Sequence, residues 1–360
     1  MNKLTLLIDG NWLMMSRMPL FIKDFDTTQR EEVRQQASTK LEMQMAKSIG
    51  VILNRFKNID NMILIADGGS WRKKLAIPQI LAAESTTYKG NRQQAIELDW
   101  SYIYKSFNNI FNRCNSMNIT CSQYLDCEGD DLIWYWSRRL NSQGINCIIW
   151  SSDNDLKQLV QYDNDNNTFT AWYNDKNGMY FSDNMQEPDL DPLDFFMAPP
   201  KRSMPVFESL ISNSVKVSYV NSFDIVIDKI FQGDSGDNIK PIVRYNKNGR
   251  RYKLTKKEFN EIIRKFDITS ISSLKKHQQD ICNYIVDKFK KYNINYQDVD
   301  DMISYNINLV WLDECVIPET IVTSMNQAEY KNLQDIDYIR SNYKVLLNTD
   351  RTVEDIFNSI

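Results

Sequence analysis

Two short apolar runs in this 360-residue chain end in the same dipeptide. Leu4-Thr-Leu-Leu-Ile8 runs into Asp9-Gly10, and Asn61-Met-Ile-Leu-Ile-Ala66 runs into Asp67-Gly68. Compact apolar stretches of this length predict strands buried on both faces, as in a parallel sheet covered by helices. Residues 29 to 56, between the two runs, carry apolar side chains at 41, 45, 49, 52 and 56, which predicts a long amphipathic helix. Strand, helix, strand is the unit of an α/β fold. Ligands in such folds bind beyond the carboxyl ends of parallel strands, so both aspartates are expected at that edge.

The pattern returns further along. Ile119–Leu125 reads as a short strand, followed by Cys127-Glu128-Gly129-Asp130-Asp131 and a helical run with Leu132, Ile133, Trp136 and Leu140, stopped at Gly144. Acids at a helix start are favourable as caps, but a third in the same turn adds repulsion that capping does not need. Hard cations such as Mg²⁺ relieve such crowding. Taken alone, the stretch favours a cap over a metal site. Asn146–Trp150 is a third good strand, closing in Ser152-Asp153-Asn154-Asp155, where an Asx turn and an N-cap are the ordinary reading. A further strand is expected at 168–173, and the proline-bearing stretch 183–222 reads as an irregular connection. Residues 224–231 then lead into Gly233-Asp234-Ser235-Gly236-Asp237-Asn238-Ile239.

Two segments differ from the rest. Residues 70–107 interleave basic and aromatic side chains, from Trp71-Arg72-Lys73-Lys74 through Tyr88-Lys89-Gly90-Asn91-Arg92 to Trp100, Tyr102 and Tyr104. A solvated helical surface and a nucleic-acid contact both account for that mixture. Between Lys240 and Lys265 there are ten Lys and Arg against Glu258 and Glu261, a local +8 in a chain of net charge −4. The single histidine, His277, excludes three-histidine zinc sites and Ser-His-Asp triads, so any chemistry rests on carboxylates, lysines or a metal. Six scattered cysteines without a C-x-x-C pair read as reduced, mostly buried thiols of a cytoplasmic protein. No apolar run approaches a membrane span, and the N-terminus meets an acid too soon for a signal peptide.

The acids then fall on five strand-end or turn sites: Asp9; Asp67; Glu128, Asp130 and Asp131; Asp153 and Asp155; Asp234 and Asp237. Convergence of so many carboxylates is untenable without cations, and their number suggests two divalent ions, with phosphodiester hydrolysis as the obvious use. Setting these nine acids aside changes the net charge from −4 to +5, so the remaining surface suits a polyanion.

Six motifs in order carry a resemblance: Ile8-Asp9-Gly10-Asn11, Ala66-Asp67-Gly68, Tyr88-Lys89-Gly90-Asn91-Arg92, Glu128-Gly129-Asp130-Asp131, Ser152-Asp153-Asn154-Asp155-Leu156 and Gly233-Asp234-Ser235-Gly236-Asp237-Asn238-Ile239. Across residues 4 to 240 the chain resembles the structure-specific 5′-nucleases of flap endonuclease and 5′→3′ exonuclease type. It is most like the phage-encoded, ribonuclease H-type members that remove RNA primers during DNA replication. The resemblance implies a PIN-like α/β catalytic domain over 1–239, with a mostly parallel central sheet and a helical arch at 70–107. A basic, mainly helical DNA-binding region would follow at 240–360.

The resemblance also implies two Mg²⁺ ions per site, replaceable by Mn²⁺. Asp67, Glu128 and Asp130 would hold the first, with Asp9 nearby in the catalytic centre. Asp131, Asp153, Asp155 and Asp237 would hold the second, supported by Asp234. Lys89 and Arg92 match the basic pair that meets the scissile phosphate, and Tyr88 would stack on a terminal base. Expected partners are 5′-flap, nicked or gapped duplex DNA, RNA/DNA hybrid, and single-strand-binding or other replication proteins, in the cytoplasm of a phage-infected host.

One departure stands out. Family members usually continue past the Asn238-Ile239 position with a Gly-x-Gly hairpin that grips duplex phosphates; here only Gly249 occurs in that stretch. The local charge assigns duplex binding to Arg250, Arg251 and Lys253 instead. Two other readings compete: a PIN-type single-strand ribonuclease, and a non-catalytic DNA-binding replication protein. The second is expected to have lost some carboxylates, and none is missing.

Overall fold

The computed structural model describes residues 3–56, 59–82, 88–90, 97–185, 217–248, 250–333 and 335–347. The chain forms two units. The first takes Met1–Gly69, Gln94–Val220 and Thr323–Ile360; the second takes Ser70–Gln93 and Asn221–Val322.

The first unit is built on one sheet of β1 (Leu4–Asp9), β2 (Ile59–Ile65), β3 (Thr120–Ser122), β4 (Asn146–Trp150), β5 (Gln161–Asp163), β6 (Thr168–Asn174), β7 (Gly178–Ser182) and β8 (Val217–Val220). The order is β3-β2-β1-β4-β6-β7-β8, with β5 paired to β6. Neighbours from β3 to β6 along this path run parallel. β5 and β7 lie antiparallel to β6, and β8 is parallel to β7. The sheet is therefore mostly parallel, with helices on its faces, the PIN-like α/β architecture that the sequence led one to expect. In register, Asp9 pairs with Ile65 and Ile8 with Trp150, so β1, β2 and β4 finish level with one another. The strand order reverses at β1, where β2 and β3 lie to one side and β4 to the other. Such a reversal opens a crevice at the carboxyl edge of the sheet.

The continuous apolar runs are explained by burial on both faces. Leu6 and Ile8 share a core with Leu41, Met45 and Ile49 of α2 (Glu31–Arg55) and Phe107 of α3 (Trp100–Ser116). Leu7, on the alternate face, is equally buried, and there α4 (Gly129–Asn141) packs on β1 and β4. The apolar positions expected at 41, 45, 49, 52 and 56 are all buried. Val217–Val220, inside the stretch read as irregular, is a strand; most of that stretch, residues 186–216, lies outside the described residues. Residues 323–347 belong to this unit as well. The Tyr330 hydroxyl meets Thr5 Oγ1 at 3.0 Å, Arg139 donates to the Ala328 carbonyl at 2.6 Å, and Arg113 donates to the Val345 carbonyl at 2.7 Å.

The second unit is mainly helical: α5 (Ser222–Gln232), α6 (Lys256–Lys265), α7 (Ile271–Lys288) and α8 (Tyr296–Val310). Ile230, Phe231, Ile262, Ile281, Ile285 and Ile303 lie in its core. Between α5 and α6 the chain makes a two-stranded antiparallel ribbon, β9 (Tyr245–Lys247) with β10 (Arg250–Tyr252). Among the described residues no helix is long and apolar enough to cross a membrane.

Candidate active site

The first unit delivers its acids to one edge of the sheet. Asp9 is the last residue of β1 and caps a helix, α1 (Gly10–Arg17), accepting the Trp12 N–H at 2.9 Å. Its other oxygen accepts the Ser151 hydroxyl at 2.7 Å, from just past β4. Ser151 Oγ in turn receives the Asp153 N–H at 3.0 Å, and the Asp153 carboxylate accepts the Asp155 N–H at 2.9 Å. A single chain of hydrogen bonds therefore links the acids after β1 to those after β4.

A second set of bonds links β1 to β2 and β3. Asn11 donates to the Asp67 carboxylate at 2.9 Å and accepts the Asp67 N–H at 3.0 Å. The same carboxylate accepts the Gly129 N–H from the start of α4. Gln123 donates to the Asp67 carbonyl at 2.8 Å, Gly68 donates to the Cys127 carbonyl at 2.8 Å, and Asp126 donates to the Gly68 carbonyl at 3.0 Å. Glu128 and Asp131 form a reciprocal capping box on α4. Asp131 is 0% exposed, while Asp130, between them, is half-buried. The cap is therefore real, and it coexists with the crowding that capping does not explain. Asp67 and Asp153 remain exposed, and Asp155 is half-buried.

Asp9 registers that crowding. Burial is the main cause that pushes its carboxyl up to about 7, and the negative charges of Asp67 and Asp153 add to it; the bonds from Trp12 and Ser151 act in the opposite direction. Asp9, Asp67, Glu128, Asp130, Asp153 and Asp155 offer carboxylate oxygens, the donor type that suits a hard divalent ion such as Mg²⁺.

This gives a pH prediction for protein held in chelator. Folded Asp9 binds its proton more tightly than the unfolded chain does, so between about 3.8 and about 7 the unfolded state holds fewer protons. The stabilisation from this group is full at the acidic end and is lost as pH rises to about 7. Asn at position 9 keeps the cap but cannot titrate. The wild-type unfolding midpoint, referenced to Asp9→Asn, should decline across that window and then level off. A difference that is flat with pH would contradict a proton held at Asp9.

The remaining candidate residues, among those described, stand on the second unit. Gly233 (φ +71°) ends α5 where a Cβ would lie 2.5 Å from the Ile239 carbonyl, so the turn requires glycine. Asp234 and Ile239 exchange backbone bonds of 2.9 and 2.7 Å across this turn. The Asp234 carboxylate is ion-paired with Lys229 and accepts the Gly236 N–H. Burial works against its charge, yet Lys229 and the local N–H groups hold it below the usual carboxylate range. Asn306 of α8 ties both ends of the turn, donating to Ile230 and Lys240 carbonyls. The Asp237 carbonyl accepts the Lys89 N–H at 2.9 Å, and Lys89 sits in the left-handed region at φ +56°. Its ammonium lies 4.9 Å from the centre of the Tyr88 ring. Tyr88, expected to stack on a base, is 8% exposed, with its ring in the second unit's core. Arg92 lies outside the described residues.

Arg250, Arg251 and Lys253 lie on and just after the ribbon, where all are exposed. A tyrosine stack braces it: Tyr245 lies 4.2 Å from Tyr292 and 5.7 Å from Tyr252, ring centre to ring centre. Sequence reasoning gave no role to Ser151 and Gln123, or to Asn11 within its motif, although these side chains hold the acids in place; being neutral, they carry no charge signal of their own.

Residues 4–187, just over half of the chain, match the family described as 5′-3′ exonuclease, N-terminal resolvase-like domain. No curated protein matches the sequence. The solved structures similar to it include three that bear on the site. The T5 D15 protein co-crystallised with metal ions is 14% identical, with a TM-score of 0.49 and 99% of each chain covered. The T5 5′-exonuclease with zinc bound is 15% identical, with a TM-score of 0.49, and covers 90% of this chain and 97% of its own. The bacteriophage T5 flap endonuclease in a pseudo-enzyme–product complex with DNA and metal ions is 15% identical, with a TM-score of 0.43, and covers 96% of this chain and 99% of its own.

Proposed function

The chain belongs to the 5′-3′ exonuclease family, and on that premise we propose that it is a divalent-metal-dependent hydrolase of phosphodiester bonds at 5′ ends or flaps of duplex DNA and RNA/DNA hybrids, as in RNA primer removal. One observation carries the reading. Within the family-matched residues, carboxylates follow the ends of four adjacent parallel strands, β3, β2, β1 and β4, on one edge of the sheet. Asp67, Glu128 and Asp130 are assigned to one Mg²⁺, and Asp153 and Asp155 to a second. Such ions, when bound, activate water and offset charge on the attacking and leaving oxygens.

The chain's own residues set up that chemistry. Asn11 and the Gly129 N–H orient Asp67. Asp131 holds the Glu128 backbone at the helix start, and Ser151 couples Asp9 to the Asp153 turn. Lys89 and Arg92 are assigned to the scissile phosphate, with the Tyr88 ring beneath the Lys89 ammonium. The ribbon residues Arg250, Arg251 and Lys253 are assigned to duplex phosphates. Their exposure supports this, as does the scarcity of acids in the segment.

Cleavage of a 5′-flap duplex beside a plain single strand, with and without Mg²⁺, tests the reading. Metal-dependent cleavage confined to the flap substrate is expected; cleavage of the single strand alone would favour a PIN-type ribonuclease. On the same flap duplex, replacing Arg250, Arg251 and Lys253 with Ala should weaken binding. The log–log salt slope should fall by roughly 0.9 for each phosphate that the variant no longer neutralises. An unchanged slope would return the ribbon to a solvated charged face.

A further inference from the structure

We propose that Leu125 is a substrate contact at the rim of the acid cluster, packing against the sugar or base of the nucleotide whose phosphate the carboxylates receive. This rests on the hydrolase reading above. Leu125 is 84% exposed, the most exposed large hydrophobic residue among those described. Isolated exposed leucines are common and need no explanation in general. Two features separate this one.

The first is that its loop is fixed. Leu125 lies between Tyr124, whose carbonyl accepts the Cys127 N–H, and Asp126, which is in the left-handed region at φ +61°. The bonds from Gln123 to Asp67, from Gly68 to Cys127 and from Asp126 to Gly68 tie both flanks of Leu125 to the residues following β2. A side chain carried on backbone so fully bonded is presented in one place. That place adjoins the acids: the Leu125 nitrogen would lie 3.3 Å from a Cβ on Gly68, the residue after Asp67, and Glu128 follows three residues on.

The second is a companion. Tyr104 of α3 is 46% exposed and stands one helical turn before Phe107, whose ring would lie 2.8 Å from a Cβ on Gly10, the residue after Asp9. Large exposed side chains therefore stand on two elements that pack beside the residues following Asp9 and Asp67. A polyanion's phosphate has no use for apolar surface, whereas the attached sugar and base do, because base faces and apolar side chains exclude water from each other. The occupant is therefore a nucleotide bonded to the scissile phosphate. The role expected of Leu125 is to set which phosphodiester reaches the acids.

Steady-state cleavage of a 5′-flap duplex in Mg²⁺ by Leu125→Ala, with product lengths resolved, tests this. The variant should melt with the wild type, because the removed atoms are already in water. KM should rise about tenfold with kcat changed far less, and cleavage should spread to neighbouring phosphodiesters. Leu125→Met should restore both values, and Leu125→Asp should bind more weakly than Leu125→Ala. Unaltered KM and product register in both Leu125→Ala and Leu125→Asp, beside an active wild type, would overturn this assignment alone. A wild type that cleaves no 5′-ended substrate would remove the hydrolase reading and this contact with it.

Discussion

Cleavage of a 5′-flap duplex in saturating Mg²⁺ should fall by several orders of magnitude in Asp155→Asn and in Asp130→Asn, while DNA binding persists. Each change preserves shape and removes one negative charge. The cost to the fold is small in both cases, which makes the test clean. At position 155 the backbone N–H, not the side chain, bonds to Asp153, so the turn Asn154–Leu159 keeps its cap. Asp130 lies in the first turn of α4, where losing a charge costs about 0.3–1 kcal/mol of helix-end stabilisation. Damage to stability on that scale cannot produce a loss of several powers of ten at 25 °C. Single-turnover cleavage and fluorescence anisotropy on the same preparations separate the two effects. Near-normal cleavage by both variants would remove the two-ion assignment, whatever the remaining carboxylates do.

What could be read before the structure follows from how each element is stabilised. β1, β2 and β4 lie in the middle of the sheet with both faces covered, so Leu4–Ile8, Asn61–Ile65 and Asn146–Trp150 must be apolar almost throughout. Acids at the ends of such runs are conspicuous, and Asp9, Asp67, Asp153 and Asp155 are legible for that reason. α2 was equally legible, because its buried positions recur with the helical period.

The ribbon was not. Tyr245–Lys247 and Arg250–Tyr252 are three residues each and largely exposed, so no alternation marks them, and the stack of Tyr245 on Tyr292 joins residues 47 positions apart in the sequence. The contribution of residues 323–347 to the first unit was hidden for a related reason. It depends on single polar bonds, such as Asn61 to the Lys331 carbonyl and Arg340 to the Leu53 carbonyl, which leave no periodic trace. Within the site, Asp130 and Asp131 differ in a way that composition does not show. The charge of Asp131 reads the same as that of Asp130, but only the fold shows that Asp131 is buried in a capping box while Asp130 is half-buried beside it.

Gly68→Ala should abolish most of the activity without touching a charged group. The residues after β2 and those after β3 continue the strand pairing as direct backbone bonds, Ala66 to Ser122 and Gly68 to Cys127. A Cβ on residue 68 would sit 1.8 Å from the Tyr124 carbonyl oxygen and 2.5 Å from its carbon. Backbone, not a flexible side-chain tip, is the obstacle, so the two segments must separate by roughly 1 Å or more to reach ordinary van der Waals separation. That movement falls on the bond between the Asp67 carboxylate and the Gly129 N–H, which fixes Asp67 against the helix bearing Glu128 and Asp130. Overpacking of this kind costs about 1–3 kcal/mol, a loss a protein of this size can survive folded. A misplacement of about 1 Å at a catalytic group costs roughly 10²-fold in rate. The expected result is a folded variant with a moderately lowered melting temperature and a rate reduced about a hundredfold or more. Circular dichroism establishes the fold, and single-turnover cleavage reads the rate. A Gly68→Ala variant cleaving at the wild-type rate would show that the spacing between Asp67 and Glu128 is not what the site depends on, and the ligand set after β2 and β3 would need to be reassigned.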